Sequence, residues 1–149
     1  MEELKKYILG SLDCDFGVNG VKSANSIQDL VALLKSPQGI EFCMENSFPS
    51  LEILSAYESE LLASGVYLQG KHNLENPNLV IAFGGTIGIH LNGYTVCQVY
   101  ATNDAQINVF GNDSAIAMVE VHGDASVFVQ QLDESSINVF QKSWPHNTN

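Results

Sequence analysis

Between Gly84 and Phe140 one short pattern recurs: an acidic or small residue, a small residue, any residue, Ile or Val, any residue, a hydrophobe. Its clearest copies are Asp104-Ala105-Gln106-Ile107-Asn108-Val109, Asp113-Ser114-Ala115-Ile116-Ala117-Met118, Asp124-Ala125-Ser126-Val127-Phe128-Val129 and Glu134-Ser135-Ser136-Ile137-Asn138-Val139; looser copies begin at Gly84 and Gly93. Alternate copies start 20 or 21 residues apart. A sandwich alternates apolar and polar residues without holding so long a register, whereas in a solenoid residues one coil apart stack on neighbouring rungs, about 4.8 Å away. The test is whether chemistry repeats down each column. Ile87, Ile107 and Val127 share one column, Ile89, Val109 and Val129 the next inward one, and Val96, Ile116 and Ile137 the corresponding one on the other face. Gly85, Ala105 and Ala125 form a small-residue column where the chain turns tightly, and Asn92 lies above Asn112, as in the amide ladders of stacked strands. The chain therefore reads as mainly β with an α-helical N-terminal part (α+β): a short single-stranded β-solenoid of about 20 residues per coil, capped by helices. A small antiparallel β-sandwich is the alternative.

Residues 1–65 read as the helical cap segment, 66–142 as the solenoid repeats and 143–149 as a loose tail, all within one cooperative domain. Helices are expected over residues 2–9, over 27–35 with Ser26 as its cap, and over 51–63 with Ser50 as its cap and Gly65 as its stop. Gly17 and Gly20 mark Cys14 to Ser23 as a loop, and Pro37 and Gly39 end the second helix, leaving Ile40 to Met44 extended. From Val66 the apolar period falls to 2, and Gly70 to Asn78, with Pro77 inside it, predicts an irregular first coil. A solenoid has two open ends whose unpaired strands recruit other chains. The helical part is expected to cover the first coil. Only Phe140, Trp144 and a few polar residues stand at the other end, which predicts a two-fold homodimer.

Charge narrows the partners. Seventeen acids against six Lys and Arg give a net charge of -11, which disfavours nucleic-acid phosphate and anionic membranes, since both require basic patches. Cys14, Cys43 and Cys97 are odd in number and widely spaced, so they offer neither a disulfide framework nor a CxxC motif. Reduced thiols point to the cytoplasm. The apolar run from Tyr7 to Leu12 is too short for a signal peptide, and no segment approaches the roughly 20 apolar residues of a membrane helix.

Each candidate site has a plainer competitor. Asp104 stacks over Asp124, and Asp113 over Asp133 and Glu134; these acidic columns, Asp104, Asp113, Asp124 and Glu134, would suit calcium. Asp at a turn is explained equally by hydrogen bonds to nearby backbone, and the Gly-rich signature of calcium-binding solenoids is absent. His72, His90, His122 and His146 form no ligand spacing, His90 and His122 fall on different faces, and all four read as surface residues, so no metal and no cofactor is expected. Gly84-Gly85-Thr86 lacks the helix and Lys of a phosphate loop. Cys97 reads as a small strand residue and Cys43 as core; no catalytic residue is singled out. The outward slots hold Gly88, Asn108 and Phe128, then His90, Phe110 and Gln130, which places Phe110 and Phe128 together. The candidate binding surface is therefore Phe110, Phe128, Phe140 and Trp144.

Gly39-Ile40-Glu41-Phe42-Cys43-Met44-Glu45-Asn46-Ser47-Phe48-Pro49-Ser50-Leu51-Glu52, Ser64-Gly65-Val66-Tyr67-Leu68 and Tyr94-Thr95-Val96-Cys97-Gln98-Val99-Tyr100 together resemble an uncharacterised family of Bacteroides-type bacteria found in prophage and other mobile-element settings. The resemblance spans about residues 39–140 and implies a short helical segment followed by repeated strands in a bacterial cytoplasm. It implies no activity. The expectation is a non-enzymatic structural or protein-interaction module that offers a flat acidic face to a protein partner or to itself. An acidic inhibitor imitating nucleic-acid charge and an enzyme acting on a glycan polymer are the two alternatives.

Overall fold

The computed structural model describes residues 1–12 and 14–142; the tail expected at 143–149, with Trp144 and His146, lies outside the described residues. From Gly93 to Asp133 the backbone enters the left-handed region once every ten residues, at Gly93, Asn103, Asp113, Gly123 and Asp133, with φ between 54° and 62°. Gly, Asn and Asp are the residues that tolerate this conformation. Each such residue sits in a four-residue turn closed by a backbone bond: Thr95 N–H to Asn92 O at 3.3 Å, Ala105 N–H to Thr102 O at 3.3 Å, Ala115 N–H to Asn112 O at 3.2 Å, Ala125 N–H to His122 O at 3.1 Å and Ser135 N–H to Leu132 O at 3.1 Å. A half-coil is thus ten residues and a coil twenty.

The strands between these turns are β1 (Val66–Tyr67), β2 (Lys71–Glu75), β3 (Leu79–Ala82), β4 (Thr86–Leu91), β5 (Val96–Ala101), β6 (Gln106–Gly111), β7 (Ile116–His122), β8 (Ser126–Gln131) and β9 (Ser136–Lys142). They alternate between two sheets of parallel strands, ordered β1-β3-β5-β7-β9 and β2-β4-β6-β8. The protein is a β-solenoid with helices N-terminal to it. Register is twenty residues along most of its length, as in Thr86↔Gln106↔Ser126 and Val96↔Ile116↔Ser136. The first coil is shorter, with Val66 opposite Ile81 and Lys71 opposite Thr86. The expected irregular stretch contains β2.

In the four-stranded sheet the columns run as read: Ile87↔Ile107↔Val127 and Ile89↔Val109↔Val129. The other sheet corrects the reading by one residue. Ile137 pairs with Ala117, and the inward column is Cys97, Ala117 and Ile137, while Val96 is 59% and Ile116 49% exposed. Bulky columns from one sheet and small ones from the other share a single core cluster, which is how two close faces fill without voids. The amide pair is also displaced: Asn76, not Asn112, partners Asn92, its Oδ1 accepting the Asn92 N–H at 2.8 Å.

The helices are α1 (Glu2–Leu9), α2 (Asp15–Ser23), α3 (Ile27–Leu34), α4 (Pro37–Asn46), α5 (Leu51–Ser55) and α6 (Glu58–Ala63). Ser26 caps α3 by accepting from Asp29 N–H at 3.1 Å, and Asp29 returns the bond to Asn25 N–H at 2.8 Å. Two segments depart from expectation. Cys14 to Ser23 is helical despite its glycines, because Val21 is buried against Ala24 and Leu30 and that packing outweighs propensity. Pro37 begins α4 instead of stopping α3: Ser36 caps it by accepting from Gly39 N–H at 3.1 Å, and proline has no N–H to lose in a first turn. Ile40, Cys43 and Met44 are therefore one buried helical face, not a strand. The expected helix over 51–63 breaks at Tyr57 (φ -122°, ψ 25°) into α5 and α6. Together these helices bury Val31, Ile40, Met44, Leu54 and Leu61 against Val66 and Ile81 of β1 and β3 and against Leu68 and Phe83 just beyond them. Thr102 extends the seam: it is fully buried, 3.0 Å from Ser47 Oγ, with its hydroxyl toward Met44 O at 3.4 Å.

Candidate functional site

Parallel stacking places the outward residues of β4, β6 and β8 on one flat wall. Register brings Gly88, Asn108 and Phe128 into one row and His90, Phe110 and Gln130 into the next. The His90 ring lies on Phe110 at 4.8 Å between centroids and 16° between planes, and Phe110 meets Phe128 diagonally at 6.4 Å and 57°. Phe128 is 58% exposed. Three rings on three successive strands thus make a continuous ledge, flanked by the side-chain amides of Gln106, Asn108 and Gln130. On a chain of net charge -11, the outward slots of these three strands hold no Asp, Glu, Lys or Arg. Charge on this sheet's outer face sits on β2 at its edge, where exposed Lys71 lies beside Thr86 and exposed Glu75 beside His90.

The acids lie at the corners. Asp104 and Asp124 are exposed, twenty residues apart, at equivalent corners. On the opposite edge Asp113 Oδ2 accepts from Gly93 N–H at 2.8 Å and Asp133 Oδ2 from Asp113 N–H at 3.2 Å. Each of these carboxylates satisfies the turn one coil below. Glu134 is exposed beside Asp133. Phe140 does not join Phe110 and Phe128: it pairs with Glu120 on the other sheet and is 48% exposed there. Trp144 lies outside the described residues.

At the C-terminal end the core opens. Ile107, Val109, Ala117 and Val119 are at most 1% exposed, yet Val127, Val129 and Ile137 one rung further are half-buried and Val139 is 41% exposed. Gln131 and Gln141 replace the apolar residues of their columns, and Gln131 Oε1 accepts from Ile137 N–H at 2.8 Å. Among the described residues, β8 and β9 each pair on one side only.

A polar groove of about 400 Å³ runs between α4 and the five-stranded sheet, lined by Glu41, Glu45, Tyr100, Glu120, His122 and Lys142 among others. His122 overturns the surface reading: it is 3% exposed, its Nε2 2.9 Å from Glu120 Oε2. The pattern Glu-x-His along one strand face was its only trace in the sequence. Burial and the Glu120 carboxylate push the Tyr100 phenol up. Among the helices, a second, almost wholly apolar cavity of about 110 Å³ is lined by Leu12, Phe16, Leu33, Phe42 and Phe48 among others. All three thiols are unpaired; Cys14 is exposed, whereas burial pushes Cys43 up to about 12 and Cys97 to about 11, leaving both unreactive at neutral pH. At the glycine pair, a Cβ on Gly84 would lie 2.3 Å from Leu68 O, and Gly85 has φ 89°. Close strand approach and a left-handed turn explain both residues.

Comparison with protein-family models, curated proteins and solved structures returns no match. Among the described residues no group of three His, Cys, Asp or Glu side chains converges as a metal site, and no helix is long and apolar enough to cross a membrane.

Proposed function

We propose that this protein is a non-enzymatic interaction module of the cytoplasm, and that its open C-terminal end docks a second copy of itself. The observation that carries the reading is the abrupt loss of burial on the last rung, where Val127, Val129, Ile137 and Val139 occupy core columns without being covered. Unpaired parallel edges invite strand addition, and a two-fold axis through this end brings like edges together. Its make-up is that of an interface: an apolar centre of four aliphatic side chains, with the Gln131 and Gln141 amides and corner acids around it. The helices occupy the first strands, leaving the last coil for association. The inhibitor reading needs longer acidic rows than two carboxylates on one edge and three on the other, and Asp113 and Asp133 already accept from turn amides.

Light scattering on a size-exclusion column tests this directly. The wild type is expected to elute with the mass of a dimer at micromolar concentration. Val139→Glu, which places a charge at the end, is expected to give a folded monomer, while Val96→Glu, also exposed but on the flank, leaves the dimer intact. A monomeric wild type, or a dimer indifferent to Val139→Glu, overturns the assignment.

A further inference from the structure

The aromatic ledge has a composition that selects among ligand chemistries. Single-stranded nucleic acid stacks on such rings, but only beside a basic groove that tracks its phosphates. Here the outward slots of β4, β6 and β8 are uncharged and the molecule carries -11. The hot spots of protein–protein interfaces are enriched in Trp, Tyr and Arg. Among the outward residues of these strands there are none; the rings stand between amides and hydroxyls. The charged outward residues beside the rings, Lys71 and Glu75 on β2, are of opposite sign and lie at one edge, so a charged small molecule meets no concentrated counter-charge. What suits a ring face flanked by neutral donors and acceptors is a ligand with one C–H-lined face and hydroxyls around its edge. The ring presents its negative face to the polarised C–H bonds, and side-chain amides both donate to and accept from adjacent hydroxyls. Pyranose sugars have that chemistry.

We infer that the outer face of β4, β6 and β8 binds a neutral polysaccharide, with Phe110 and Phe128 as its stacking platforms and Asn108, Gln106 and Gln130 as its hydroxyl partners. The ligand lies across the strands because the rings do: His90, Phe110 and Phe128 belong to β4, β6 and β8 in turn. The His90 ring covers one face of Phe110, lying parallel to it at 4.8 Å from the neighbouring strand. Parallel strands hold these positions on a rigid backbone, so little order is lost on binding. The site shares β8 with the open C-terminal end but faces outward from the sheet, so its test includes the size-exclusion mass of Phe128→Ala, which is expected to match wild type.

Affinity electrophoresis in gels containing xylan, mixed-linkage β-glucan, glucomannan or hydroxyethyl cellulose reads the interaction. At least one of these neutral polymers is expected to retard the wild type, with retardation unchanged on adding about 0.5 M NaCl, since no ion pair contributes. Phe128→Ala is expected to weaken it about tenfold, a loss typical of truncating an aromatic anchor, while Phe128→Trp retains it. Because Phe128 is 58% exposed, both variants keep the wild-type thermal unfolding midpoint. Phe140→Ala, also an exposed ring but on the other sheet, leaves retardation unchanged. No retardation by any of the four polymers overturns the inference, as does binding abolished by salt or equal binding by Phe128→Ala.

Discussion

At the scale of the residue, an acid at a turn can be read in two ways, and the structure separates them. The sequence shows carboxylates repeating at coil spacing, which suits a cation column as well as it suits turns. In the fold, Asp113 holds φ 54° while its Oδ2 accepts from Gly93 N–H at 2.8 Å, so it serves the backbone twice. Those two roles predict an order of stabilities. Asp113→Asn keeps the acceptor and the tolerance for a left-handed backbone, and its unfolding free energy stays near wild type. Asp113→Gly loses only the hydrogen bond, about 1 kcal/mol, offset in part by easier backbone geometry. Asp113→Ala loses the bond and strains the turn, for a total near 2 kcal/mol. Urea unfolding of the three variants checks the order, and none of the midpoints is expected to move with calcium. A calcium-dependent rise lost in Asp113→Asn would restore the cation column.

At the scale of the element, legibility followed how unequal the two faces of a strand are. In β6 and β8 the inward Ile107, Val109, Val127 and Val129 are more apolar than the outward Gln106, Asn108, Ser126 and Gln130, Phe110 and Phe128 being the exceptions, so these four were placed correctly. In β5 and β7 the inequality is reversed: Cys97 and Ala117 point in while Val96 and Ile116 point out. A reading that assigns the bulkier residue to the core slips by one there, and a slip by one exchanges faces. The regular ten-residue spacing of the turn residues, two glycines, one Asn and two Asp, held the correct register but is hidden by their differing chemistry. Helix α4 escaped for a similar reason, since Pro37 is a stop signal or a first-turn residue depending on whether Ser36 caps it. His122 and the groove beside it were illegible because α4 itself was. The register yields a sharp contrast. Ile116→Ser, at an outward and 49% exposed site, is expected to change stability by less than about 0.5 kcal/mol. Ala117→Asp, one residue on and fully buried, places an unpaired charge in the core and is expected to prevent folding. Circular dichroism melts of the pair decide the register, and the opposite ranking would restore Ile116 to the core.

At the scale of the whole molecule, the proposed dimer must form between two strongly acidic chains. Over residues 124–142, which make up the exposed end, three carboxylates, Asp124, Asp133 and Glu134, face a single Lys142. Two copies meeting there carry like charge around an apolar centre, so hydrophobic burial drives association and electrostatics opposes it. The sign of the salt effect follows. Exposed charges are screened over about 10 Å at 0.1 M salt and about 3 Å at 1 M, so raising ionic strength removes the repulsion and leaves the apolar contact in place. Sedimentation equilibrium is expected to show the dimer tightening by roughly three- to tenfold between about 0.05 and 0.5 M NaCl. Reversing charge at the rim should flatten that slope: Glu134→Lys turns three acids against one base into two against two, which leaves the end neutral and the dissociation constant nearly independent of salt. An association that weakens with salt would instead mean that ion pairs hold the copies together. The contact would then have to lie away from the last coil, on a surface where acids and bases alternate.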